Sequence, residues 1–86
     1  MPGYNDRISL IKGIYTGCES IEQRDRLVDC FDKYPSFAAS LDAWNFEIPR
    51  ARILKALNDG DLTQADYDLV KYHLDVGEGL IRPTEE

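Results

Sequence analysis

At 86 residues, with 43% hydrophobic and 30% charged side chains and nine aromatics, the chain has the composition of one globular domain, which excludes two domains and intrinsic disorder. Sixteen acids against ten bases give a net charge of −6, whose field repels nucleic-acid phosphates and anionic lipid. The densest cations, Arg50, Arg52 and Lys55, scatter around a helix instead of forming a stripe, so no direct nucleic-acid binding is expected.

The first element runs from about Asp6 to Thr16, with Ile8, Ile11 and Tyr15 on one helical line, Leu10 and Ile14 beside it, and Gly17 to end it. "MPGYNDRISLIKGIY" has no basic region followed by a long apolar run, and no stretch approaches the roughly 18 apolar residues of a membrane span. No membrane contact is expected, and the expected location is the cytoplasm. "SIEQ" reads as a capping box, with the Ser20 hydroxyl accepting from the Gln23 N–H while the Gln23 side chain returns to Ser20. A second helix follows, with Ile21, Leu27, Val28 and Phe31 facing inward. Cys18 and Cys30 then lie roughly 15 Å or more apart along a helix rising about 1.5 Å per residue, too far for a disulfide, so two free thiols are expected.

Pro35 disfavours the helical conformation at Tyr34 and ends the second helix there, and Ser36 opens a short third one through Phe37, Leu41 and Trp44. "NFEIPR" is an extended connector in which Phe46 and Ile48 plug the core, with Pro49 suited to a first helical position. The fourth helix, from Pro49 to about Asn58, buries Ile53, Leu54 and Leu57. The fifth starts after Thr63, capped with Asp66, and runs through Tyr67, Val70 and Leu74 to about Val76, where Gly77 and Gly79 stop it. Residues 1–5 and 80–86 are expected to fray, and no internal repeat, low-complexity segment or strand pair is evident. The expected fold is all-α: a single domain, 1–86, built as a compact bundle of four to five short helices. Its core is drawn from Ile8, Ile11, Ile14, Leu27, Phe31, Phe37, Leu41, Trp44, Ile53, Leu57, Tyr67, Val70 and Leu74.

Between the last two helices, "LNDGDLTQADYDLV" gathers Asp59, Asp61, Asp66 and Asp68 around a glycine. It can be laid over the twelve-residue calcium loop of an EF-hand, with Gly60 at the turn glycine, Leu62 at the central apolar position and Asp66 at the last ligand. The first and third ligand positions, however, fall on Lys55 and Leu57, and a lysine there opposes the ion. A helical hairpin turned by Gly60 and capped by Thr63 is the better reading, and no metal or other cofactor is expected.

The second helix carries Glu22, Asp25, Asp29 and Asp32 at spacings of 3, 4 and 3, which stacks four carboxylates into one stripe. Arg24, Arg26 and Lys33 compensate part of it locally. The stripe is either a solvated face or a docking surface for a basic patch on a partner protein. It would imitate nucleic-acid phosphates only if Asp59, Asp61, Asp68 and Asp75 extended it. The fifth helix has a second apolar stripe, Leu69, Tyr72, His73 and Val76, which suits either a central helix or an exposed assembly face, with a homodimer as the result.

Signals for an enzyme are weak. His73 is the only histidine, and no local signature supports pairing it with Cys18 or Cys30. One histidine and two cysteines make no zinc set, and "GEG" at Gly77 to Gly79 ends a helix without the lysine of a phosphate loop. The expectation is a non-enzymatic protein-binding module, comparable in composition to small acidic inhibitors and immunity proteins. The alternatives are a self-assembling scaffold subunit and a phage nucleic-acid mimic that blocks a host nuclease or a CRISPR-type defence complex.

Overall fold

The structure, a computed structural model, describes residues 6–80, so the ends expected to fray lie outside the described residues except for Leu80, which is exposed. Five helices follow one another: α1 (Arg7–Thr16), α2 (Ile21–Lys33), α3 (Ser36–Asp42), α4 (Glu47–Asp59) and α5 (Gln64–Glu78). Among the described residues there is no strand, and the all-α bundle expected from the sequence is what forms.

Local chemistry sets most of the boundaries. Asp6 caps α1 by accepting from the Ser9 N–H at 2.8 Å, and Ser20 caps α2 by accepting from the Gln23 N–H at 3.1 Å. The return bond of this second cap differs from the expected box, because the Gln23 side chain accepts from the Glu19 N–H at 2.7 Å instead of from Ser20. Tyr34, kept out of the helical region ahead of Pro35, closes α2 at φ −122° and ψ 76°. α4 begins two residues earlier than expected, since Asn45 accepts from the Glu47 N–H at 3.0 Å and so places Pro49 third in the helix. A first-turn proline gives up no intrahelical bond there. Gly60 closes α4 at φ 86°, with the Asp61 N–H reaching the Ala56 carbonyl at 2.8 Å, and Thr63 and Asp66 complete the reciprocal capping box of α5. α5 continues through Gly77, which the sequence reading placed as a stop, and ends at Gly79 at φ 87°.

The end of α3 follows the same rule with the wrong residue. The Trp44 N–H bonds the Leu41 carbonyl and the Asn45 N–H bonds that of Ser40, each at 2.9 Å, so Trp44 occupies the left-handed site that Gly60 and Gly79 take elsewhere, at φ 55°. Trp44 therefore lies beyond α3 and not within it. A side chain in this conformation costs about 1 kcal/mol, offset here by an edge-on contact with the Phe46 ring at 5.0 Å.

α1 lies against α5, α4 against α5 and α3 against α4, whereas α2 makes no comparably close backbone approach. The α1–α5 contact is tight at both ends. A Cβ on Gly17 would sit 3.1 Å from Leu69 Cδ1, and one on Gly77 would sit 2.7 Å from Leu10 Cδ1. This crossing chooses the inner face of α1. Leu10 and Ile14 are fully buried while Ile8, expected in the core, is 69% exposed. Ile21 and Leu54 were also expected inside and lie on the surface, as does Ile48, which leaves the plugging role to Phe46. Leu62, in the hairpin turn, is buried instead. Phe31 reaches from α2 to stack on Phe37 of α3 with ring centroids 4.2 Å apart.

The strain at Trp44 separates two substitutions that both delete the ring. Trp44→Gly should be more stable than Trp44→Ala by about 1 kcal/mol in urea unfolding, the reverse of the usual ranking of these residues.

Candidate protein-interaction face

α2 is fastened to the rest of the bundle by charge as well as by Leu27 and Cys30. Arg26, on its inner flank, donates Nε–H to Asp66 Oδ2 at 2.7 Å and an Nη2–H to Oδ1 at 3.1 Å. Asp66 has no solvent-exposed surface and also accepts from the Thr63 N–H at 3.1 Å, so one carboxylate both caps α5 and anchors α2. Burial alone would raise its pKa. The bonds from Arg26 and Thr63 outweigh that and hold it below the ordinary 3.8. One helical end away, Lys33 bonds Asp61 of the α4–α5 turn at 2.8 Å.

These two bonds draw off two of the three cations expected to compensate the acidic stripe. Glu22, Asp25, Asp29 and Asp32 are all exposed, and none makes a hydrogen bond or ion pair among the described residues. Arg26 and Lys33 bind acids of other elements, which leaves Arg24 as the one cation of α2 not engaged elsewhere. The second acid line is in the opposite state. Asp59 pairs with Lys55, Asp61 with Lys33, Asp75 with Arg50 and Lys71, and Asp68 accepts from the Gln64 amide. Free carboxylates thus concentrate on α2 and are not continued by the α4–α5 hairpin.

The second apolar stripe of α5 is spent inside the fold. Val76 and His73 are buried, Leu69 packs against the core, and Tyr72 alone reaches the surface, its ring edge-on to His73 at 5.2 Å. Burial pushes the His73 imidazole below its ordinary pKa of 6.5. Both cysteines are free, and burial raises both thiols, Cys30 to about 11. Cys18 donates to the Ile14 carbonyl at 3.4 Å. A reactive thiol needs the opposite shift. The residues laid over the calcium loop form the hairpin turn, and among the described residues no three His, Cys, Asp or Glu side chains group to hold a metal. No helix among the described residues is long and apolar enough to cross a membrane.

Sequence reasoning gave Asp66 only its local role in the α5 cap and missed it as the anchor of α2. The available signal was its place third in a capping box, which already pointed it back toward the helix start. No protein-family model matches the chain, and no similarity to a curated protein or to a solved structure reaches significance.

Two stability measurements check this electrostatic layout. Asp66→Ala removes a fully buried carboxylate that bonds both Arg26 and a helix cap, and should cost about 3 kcal/mol by chemical denaturation. His73 binds a proton more readily when unfolded than when folded. Stability is therefore complete above pH 6.5 and falls as the pH drops below it, a limb that His73→Gln should abolish in thermal melts.

Proposed function

We propose that the protein is a non-enzymatic protein-binding module that docks the outer face of α2 onto a basic surface of another protein, as small acidic inhibitors and immunity proteins do. The observation that carries this reading is the unneutralised state of Glu22, Asp25, Asp29 and Asp32, in a fold whose other acids are largely paired. Like charges on adjacent turns weaken a helix, and of the three cations on α2 two, Arg26 and Lys33, are committed to acids of other elements. A basic partner would supply the missing counter-charge, speed its own encounter and fix the register of docking.

The other readings find less support. A scaffold assembled through Leu69, Tyr72, His73 and Val76 would need a face that is largely covered by the rest of this fold. A nucleic-acid mimic needs a longer line of free carboxylates than α2 provides, and the acids beside it are paired.

Affinity capture from the native cell, read by mass spectrometry, tests the proposal. The wild-type chain should retain a partner with a basic surface that elutes as salt is raised, because ions screen such contacts. Asp25→Lys with Asp29→Lys should lose that partner while circular dichroism and melting temperature stay near wild type. Equal capture by the double mutant would end the proposal.

A further inference from the structure

A groove of about 720 Å³ runs the length of α1 and meets α2 at Arg24. Ile8, Ile11 and Tyr15 line it, with Lys12 and Arg24 beside them. Arg7, at one end, is held by Asp42 at 2.9 Å. Lys12 and Arg24 differ from every other cation among the described residues in making no hydrogen bond and no ion pair. In a chain with six more acids than bases, two cations left unpaired in one apolar groove are conspicuous.

The matching surface adjoins the groove. Ile21 is 74% exposed and Ile8 69%, the two most exposed large apolar side chains among the described residues. Ile21 precedes Arg24 by three residues and Asp25 by four, so on α2 these side chains are neighbours, and Arg24 is where groove and stripe meet. One face of the molecule therefore carries unpaired cations with an apolar floor next to unpaired acids with an apolar knob. A twofold axis across such a face sets each half on its complement in the partner and closes the contact.

We propose that this face pairs with itself: in a dimer of two copies, Ile21 and the α2 carboxylates of each copy seat on the Ile8–Ile11–Tyr15 groove of the other, against its Lys12 and Arg24. The dimer is of the weak, salt-sensitive kind, since its polar contacts lie at the surface. It competes with the basic partner proposed above for the same carboxylates, but it does not depend on that partner's existence.

Sedimentation equilibrium over a concentration series tests the pairing on the full chain and on two surface variants, Lys12→Glu with Arg24→Glu and Asp25→Lys with Asp29→Lys. Wild type should dimerise, more weakly as salt rises, and each variant alone should weaken self-association by about tenfold or more. Mixing the two variants should restore a heterodimer, because reversed groove meets reversed stripe. A wild-type chain that stays monomeric at about 1 mM overturns the pairing, as does a dimer unaffected by the groove variant or unrestored on mixing. If such a monomer instead shows Ile8 and Tyr15 resonances that shift on adding dodecanoate, the groove belongs to an organic anion. Loss of self-association in the groove variant with capture of the basic partner retained separates this proposal from the previous one.

Discussion

The bidentate bond between Arg26 and Asp66 is the constraint on which the placement of α2 depends. The other helices approach one another closely along the backbone, aided by Gly17 and Gly77 where α1 meets α5. α2 has no such approach. It is held by Leu27 and Cys30 below, by Phe31 stacked on Phe37, and by a guanidinium that reaches a carboxylate with no exposed surface. A buried carboxylate without its partner is costly, so the pair fixes the rotation of α2 as well as its position. That rotation turns Glu22, Asp25, Asp29 and Asp32 outward.

Stability and surface character are coupled through the same residues. Of the three cations on α2, Arg26 and Lys33 are used to bind the helix to the start of α5 and its preceding turn, and only Arg24 is left beside the stripe. What anchors the helix also strips its outer face of counter-charge. The paired acids of the α4–α5 hairpin show that the fold readily neutralises carboxylates where cations are at hand. The α2 face instead keeps four carboxylates without a cation, and Lys12 and Arg24, in the neighbouring groove, are cations without a carboxylate.

The elements legible in the sequence were those decided by neighbours in the chain. Ser20, Thr63 and Gly60 act over three to six residues: Thr63 and Gly60 form the cap and turn expected of them, and Ser20 forms the first half of its box. The failures share a different origin. α1 carries two apolar lines, and only the crossing with α5 selects Leu10 and Ile14 over Ile8. Trp44 accepts a left-handed backbone because the α3 end needs one and Phe46 offers its ring a contact. Asp66 became a buried anchor because Arg26 reaches it from forty positions away, a distance no local pattern reports. The four stripe residues were readable from spacing alone, but the fact that they remain unneutralised depended on where Arg26 and Lys33 went.

The most direct test of this account is the titration of the Asp66 side-chain carboxyl by carbon-detected NMR, in wild type and in Arg26→Gln. The bonds from Arg26 and Thr63 predict a midpoint below 3.8 in wild type that rises when the guanidinium is removed. A wild-type midpoint at or above 3.8, unchanged by the substitution, would contradict the claim that this pair anchors α2 and sets its acidic face outward.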